Sequence, residues 1–290
     1  MNIHQRINFY LGPLVNSQNK FVLNKSKEDL STEEISDFYT VAFSTLLKKT
    51  NNYNKKFNII FGDVGHEKYE STTIDESFIV KNRPRYINKG VILKCLNFNR
   101  HWKRYYNKPK DIPFDKKKNK VIWRGTTTSE FINPANRFIL IKKYYYRFPN
   151  IDIGFSSICQ GKEQFKRYVK GKMTPSQMLK YKYILSVEGN DKDSGLNWKL
   201  NSNSIVLMPR PRCCSWLMET RLIPNFHYVL LKDDFSDLKQ KYEWCKKNQK
   251  GCKQIVNNAN KFMEQFRKRK REENIENSVI SKYFELTGQV

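Results

Sequence analysis

Apolar residues fall along this chain in short runs, separated by polar turns and by stretches with helical spacing. Buried strands are predicted at Phe57–Phe61, Ser77–Val80, Gly90–Asn97, Lys120–Arg124, Ile151–Phe155, Tyr183–Val187, Ile205–Met208 and His227–Leu231. A helix is predicted over 31–49, where Ser31-Thr32-Glu33-Glu34 spells a capping box ahead of Ile35, Phe38, Ala42, Phe43 and Leu46. Others are predicted over 134–147, near Glu163–Val169, after Thr174-Pro175-Ser176-Gln177, from Ser236-Asp237 to about Lys247, and along Ile255, Ala259, Phe262, Met263 and Phe266. Cys213–Glu219 reads as helical, and residues 1–26 show little periodicity. Strands alternating with helices imply an α/β protein whose sheet is parallel and covered on both faces. The second half has a Rossmann-like pattern without the GxGxxG of dinucleotide binding.

The stretch Lys182–Pro209 organises that half. An apolar strand runs into Glu188-Gly189-Asn190-Asp191-Lys192-Asp193, then into Ser194-Gly195-Leu196-Asn197-Trp198-Lys199-Leu200, and closes on Ile205–Met208. A polar loop between a strand end and a helix start suits an anion such as a nucleotide diphosphate, because the helix start offers unpaired N–H groups and a positive dipole end. An ordinary βαβ crossover with a solvated loop reads equally well from these residues. A second loop, Gly125-Thr126-Thr127-Thr128-Ser129, follows Arg124 and consists of small and hydroxyl residues that let a phosphate approach the backbone. Arg124 or Arg137 would add a charge-assisted contact. The loop has no GxxxxGK[ST], which excludes a P-loop NTPase.

Two other positions carry chemistry. Asp63, in Gly62-Asp63-Val64-Gly65-His66, stands at the carboxyl end of a strand, where it is either a base or a turn residue bonding its own backbone. Asn97-Phe98-Asn99-Arg100-His101-Trp102 sets amides, bases and aromatics together, a composition that holds a sugar ring or packs a loop.

At 290 residues and 39% hydrophobic, the chain is long enough for two domains. Lysine and arginine total 54 against 28 acidic residues, a net charge of +26, which suits nucleic acid, an acidic membrane surface or an acidic substrate. The excess is spread along the chain beside many Asn, Ile and Tyr. Lys103–Lys120, with Pro109 and Pro113, reads as an exposed interdomain segment, and Arg267–Arg271 as a solvated basic run. The six cysteines form no CxxC pair and the four histidines are scattered, against structural zinc and in favour of reduced thiols. No signal-peptide pattern or long apolar run appears, so the expectation is a cytoplasmic protein without a membrane span.

The ordered blocks Asn97–Trp102, Trp123–Thr127, Asp152–Ser156, Glu188–Asp191, Asn201–Ser204, Ser215–Glu219, His227–Val229 and Asp233–Leu238 resemble glycosyltransferase family 90, over about residues 57–266. That resemblance implies a GT-B fold of two Rossmann-like domains facing across a cleft. The acceptor-side domain would cover 1–118, the nucleotide-sugar domain 119–265, and a helical tail over 266–290 would pack back on the first. It implies an inverting transferase in a bacterial or virus-infected cytoplasm, taking UDP-glucose or UDP-xylose to a hydroxyl of a glycan or glycoprotein, without metal or cofactor. The base falls on Asp63. Donor binding falls on Arg124, Gly125, Thr126, Arg137, Glu188, Asn190, Ser194, Gly195, Leu196, Asn197 and Lys199, with Glu219 accepting from the ribose hydroxyls. Acceptor binding falls on Asn99, Arg100, His101 and Trp102. Where relatives usually carry Arg or Lys in the donor helix this chain has Asn197, with Lys199 two residues on. Asp191-Lys192-Asp193 spells a DxD, the metal signature of the other major glycosyltransferase fold. The basic surface would meet acidic acceptors or a membrane. Two other classes stay open: a basic nucleic-acid-binding protein, whose aromatics would stack on bases, and a non-catalytic glycan-binding member of the same fold.

Overall fold

The computed structural model describes residues 1–31, 37–63, 74–87, 89–129 and 133–289. In chain order the strands are β1 (Asn58–Ile60), β2 (Phe78–Val80), β3 (Asn82–Pro84), β4 (Val91–Ile92), β5 (Lys118–Thr126), β6 (Ile151–Ser157), β7 (Tyr181–Leu185), β8 (Ile205–Met208), β9 (Cys213–Ser215) and β10 (Val229–Leu230). They belong to two compact units of an α/β fold with parallel sheets. One unit is Met1–Phe98, Arg212–Glu219 and Lys268–Val290; the other is Asn99–Pro211 and Thr220–Arg267. The sequence puts the boundary at residue 118, whereas the first unit closes at Phe98 and also takes in the β9 segment.

In the first unit β1, β2 and β4 form a parallel sheet in that order, with Ile59 opposite Ile79 and Ile79 opposite Val91. β3 and β9 pair antiparallel beside it. The N-terminal stretch, expected to lack periodicity, is a helix, Ile3–Leu11, closed by a capping box between Asn2 and Gln5. Its apolar stripe is hidden in the sequence because Arg6 lies fully buried on it. Arg6 bonds both carboxylate oxygens of Glu272, on the helix Arg269–Leu286, and the Tyr10 hydroxyl at 2.8 Å. The Trp216 ring stacks on Tyr10 at 3.8 Å and donates its Nε1–H to Glu272 at 2.8 Å. The helix predicted over 31–49 is present as Asp37–Lys49, while Thr32–Glu34 of its capping box lie outside the described residues.

Two elements differ from expectation for local reasons. The strand expected over Gly90–Asn97 shrinks to Val91–Ile92, and the chain then winds into tight helical turns over Cys95–Trp102. There the Cys95 N–H donates to the Glu276 carboxylate, not to a neighbouring strand. The helix expected over Cys213–Glu219 is strand β9 and a sharp turn. Met218 takes φ 60°, and the Glu219 carboxylate accepts from both the N–H and the hydroxyl of Ser215, closing the chain on itself.

The second unit holds a five-stranded, all-parallel sheet in the order β10-β8-β7-β5-β6. Val121, Trp123, Ile153, Phe155, Tyr183, Leu185 and Leu207 pack one face against Phe138 and Ile141 of the helix Arg137–Tyr144. Asn136 starts that helix by accepting from the N–H groups of Phe138 and Ile139. Thr174 and Gln177 form the expected capping box before the short helix Pro175–Met178. The segment 103–120 is less exposed than its charge suggests: Phe114 is buried, and the buried Lys117 ammonium is held by the Asp111 carboxylate and the Leu179 carbonyl.

Candidate functional site

The sheet of the second unit has one place where its strand order reverses. From β5 the chain goes outward to the edge strand β6, then crosses to β7 on the other side of β5 and continues to β8 and β10. Ligands of open parallel sheets settle beyond the carboxyl ends of the strands at such a reversal. The loops that emerge there are Gly125–Ser129 from β5 and Ser186–Gly195 from β7.

Arg137 locks the two loops together. Buried at the start of its helix, it donates to the Thr126 carbonyl at 3.0 Å, the Thr128 hydroxyl at 2.6 Å, the Glu188 carbonyl at 3.1 Å and the Val187 carbonyl at 3.2 Å. Gly189 has no room for a side chain, since a Cβ there would sit 2.7 Å from the Thr128 hydroxyl oxygen and 3.0 Å from a terminal guanidinium nitrogen of Arg137. Gly125 is constrained likewise, its Cβ position lying 2.5 Å from the Trp123 ring. The Thr126 and Thr128 hydroxyls stand 3.2 Å apart. Thr128 and Gly189, quoted in the sequence only as members of these loops, thus take individual parts in holding them together.

A second buried charge shapes the β7 loop. Asp193 accepts from the Ser186 hydroxyl at 2.6 Å, the Gly195 N–H at 2.8 Å and the Lys199 ammonium, which also donates to the Leu185 carbonyl at 3.0 Å. Burial pushes the Asp193 carboxyl up, but Lys199 and the hydrogen bonds outweigh it and hold the group below the usual carboxylate range. Burial lowers the Lys199 ammonium in spite of Asp193, while Asp193 has three donors on its carboxylate. Lys199, one of the residues expected to face a diphosphate, is bonded here within the loop itself. Asn197, fully buried, keeps an Nδ2 amide without a protein acceptor.

The helix from Ser194 is also reduced. It spans only Leu196–Leu200, and Asp193 supplies acceptors for the N–H groups of both Gly195 and Leu196, so the helix start offers an anion little. Ser194 is exposed, and Glu188 and Asn190 are half-buried. Asp193, the second aspartate of the DxD, has its oxygens engaged by protein donors.

Arg124 stands apart from this cluster. Next along β5 from Trp123, it turns to the sheet edge and grips Asp152 of β6 through two bonds of 3.0 and 3.1 Å, and Lys170 joins at 2.9 Å. Burial raises the Asp152 carboxyl, and Lys170 and Arg124 more than reverse it. Arg124, expected as a diphosphate ligand, is bonded here along the β5–β6 edge. Trp102 is wholly buried against Tyr105 and Phe266, ring centroids 5.4 and 5.1 Å away. His101 is buried beside it, while Asn99 and Arg100 are exposed.

Asp63 and Glu219 belong to the first unit. Glu219 is buried with both oxygens bonded to Ser215. Asp63 follows β1 beyond Phe61 and Gly62, whose φ of 84° lets the chain turn. Val64–His66, the rest of that predicted turn, lie outside the described residues. The Asp63 carboxylate, 29% exposed, accepts from the ammonium of Lys81, which is 1% exposed. The apolar pattern of β2 gave no reason to look at Lys81. Among the described residues no three of His, Cys, Asp and Glu converge as metal ligands, and no helix is long and apolar enough to cross a membrane.

The sequence pattern of glycosyl transferase family 90 matches residues 96–287. The chain is 35% identical over 234 residues to O-glucosyltransferase LpsA of Dichelobacter nodosus, covering 80% of this chain and 68% of that protein. It is 32% identical over 100 residues to the uncharacterized protein 179R of Invertebrate iridescent virus 6, a match to 32% of this chain and only 8% of the viral protein. The crystal structure of TarM aligns with 88% of this chain and 48% of its own, at a TM-score of 0.43 and 13% identity, too slight a likeness for any comparison of sites. With its pattern matched over most of its length and a relative aligned along four-fifths of it, the chain belongs to glycosyl transferase family 90.

Proposed function

We propose that this glycosyltransferase moves glucose or xylose from a UDP-sugar to a hydroxyl of a glycan or glycoprotein in a single inverting displacement. The observation that carries the donor half of this reading is the pair of loops at the strand-order reversal, locked by Arg137 around Gly189. Backbone N–H groups, the Thr126 and Thr128 hydroxyls and the unpartnered Asn197 amide are the donors available there to a diphosphate. Asp63, at the end of β1, is the proposed base, and the proposed architecture is GT-B, with the donor on the second unit and the base on the first.

In the reaction, Asp63 takes the acceptor hydroxyl's proton as the acceptor oxygen bonds to the anomeric carbon. The bond from that carbon to the diphosphate breaks, and its electron pair leaves with UDP. Positioned base catalysis contributes on the order of 10²–10⁴-fold, and orientation of two bound substrates roughly 7–11 kcal/mol at best. Charge on the leaving diphosphate is balanced by hydrogen-bond donors, with no metal required. The +26 charge favours an acidic acceptor or an anionic membrane surface, which predicts slower transfer at high salt.

The test is a panel of UDP-sugars with purified protein, with and without EDTA, following UDP release and the anomeric configuration of any product. Release with one donor that survives EDTA and yields the inverted anomer supports the proposal. Release abolished by EDTA removes metal independence, a retained anomer removes the single displacement, and no release with any donor removes the reading.

A further inference from the structure

β6 is the outer strand of the second unit's sheet, and three tyrosines gather beside it. Tyr145 meets Tyr146 at a centroid distance of 4.6 Å and Tyr168 at 5.0 Å, both edge to face. Tyr145 and Tyr168 are half-buried and tied into the scaffold: the Tyr145 hydroxyl donates to the Arg167 carbonyl at 2.9 Å, and the Arg167 guanidinium donates to the Tyr168 hydroxyl at 2.7 Å. Tyr146 differs. It is 74% exposed, and its φ of 53° is a left-handed conformation that is costly for an aromatic residue. Glycine or asparagine would occupy that position with less strain, yet the chain holds an aromatic ring in water there.

The ring is also fixed from one side. The Lys170 ammonium lies 3.8 Å from its centroid and 5.3 Å from that of Tyr145, and it bonds Asp152 of β6 at 2.9 Å. The Lys170 stem crosses Gly154, where a Cβ would come within 2.7 Å of it, and the Lys170 N–H donates to the Phe155 carbonyl at 2.9 Å. A ring capped by a cation and still mostly exposed has its other face open to solvent, with little freedom left to lose when something stacks on it. The charge around it is one-sided. Lys142–Arg147 and Lys166–Lys170 contain six lysines and arginines and no acidic residue, and Asp152 is already claimed by Arg124 and Lys170.

We propose that the Tyr146 cluster is a binding site for an acidic glycan chain, with a sugar ring stacked on Tyr146 and acid substituents meeting the exposed Arg147 and Arg167. Tyr145 and Tyr146 precede β6, so the cluster stands toward the amino ends of the parallel strands, whereas the donor loops leave the carboxyl ends of β5 and β7. The site holds a chain and takes no part in the reaction.

The experiment is calorimetric titration of an oligogalacturonate, a neutral dextran oligomer, polyphosphate and a single-stranded oligonucleotide into wild type, Tyr146→Phe and Tyr146→Asn, with no sugar donor present. Asparagine suits the left-handed backbone, so Tyr146→Asn removes the ring and is expected to melt no lower than wild type. The expected result is that oligogalacturonate binds wild type and Tyr146→Phe alike, and Tyr146→Asn about tenfold more weakly. Dextran binds less tightly than oligogalacturonate, and salt weakens the acidic ligand. Equal affinity in Tyr146→Asn, or polyphosphate or dextran bound as tightly as oligogalacturonate, overturns the proposal. Tighter, Tyr146-dependent binding of the oligonucleotide assigns the platform to nucleic acid and overturns it too, as does a wild type that binds none of the four. Should Tyr146→Asn melt well below wild type, Arg147→Ala takes its place, and unchanged affinity and salt dependence there is the contrary result. Donor-dependent UDP release, on which the transferase reading depends, is untouched by any of these outcomes.

Discussion

Each unit of this protein sets a lysine against an aspartate near the carboxyl end of a parallel strand, and the two pairs are exposed to different degrees. In the second unit Lys199 and Asp193 are both buried, with side chains 4% and 11% exposed, and Asp193 takes two further bonds from Ser186 and Gly195. Every charge is consumed in shaping the loop after β7. In the first unit Lys81 is as deeply buried, yet the Asp63 carboxylate it pairs with stays 29% exposed. A charged residue beyond a strand end is therefore not by itself a sign of chemistry. What separates the pairs is how far the carboxylate is exposed.

The contrast is broken most severely at Lys199. Lys199→Met leaves Asp193 buried without its cation and is expected to destabilise the protein by about 3–5 kcal/mol, read as a drop in melting temperature. Asp193→Asn in the same chain should restore part of the loss. A Lys199→Met variant with wild-type melting but lost donor binding would move Lys199 back to the diphosphate.

Arg137→Lys comes next. A lysine cannot reach the Thr126, Thr128, Val187 and Glu188 acceptors together, so donor affinity is expected to fall by about tenfold or more, measured by calorimetry. Gly189→Ala forces a methyl onto Thr128 and Arg137 and is expected to cost about 1–3 kcal/mol, with weaker donor binding.

The smallest effect is in pH. Asp193 is held below its unfolded value of about 3.9. Its contribution to stability is thus complete above that value and disappears as the pH falls through the lowered folded one. Melting temperature followed down from roughly pH 5 should fall less steeply in Asp193→Asn than in wild type. Equal slopes would remove Asp193 from the acid transition.

The sequence made the sheet of the second unit readable, because long apolar runs such as Val121–Trp123 and Tyr183–Leu185 are buried on both faces and leave little choice of element. The two loops of the proposed donor site are visible in the sequence as polar stretches after such runs, and the strand-order reversal places them together. Other parts were hidden by compensation over long separations. Arg6 disguised a core helix because its partner Glu272 lies 266 residues away. Lys81 looked like the polar end of a strand because Asp63 precedes it by 18 residues. Trp102 has the composition of a sugar platform, and only its burial against Phe266 shows that it is core. Arg124 and Arg137 are equivalent in the sequence; alternation along β5 sends the first to the sheet edge, while the helix start sends the second under the loops.

The most direct test of the account is a calorimetric titration of UDP-glucose and UDP-xylose into wild type and Asp63→Asn, with UDP release followed in the same samples. The account predicts one donor bound with equal affinity by both proteins, and UDP released only by the wild type. Equal turnover in Asp63→Asn would remove Asp63 as the base, and no binding of either donor by the wild type would contradict the donor site built around Arg137.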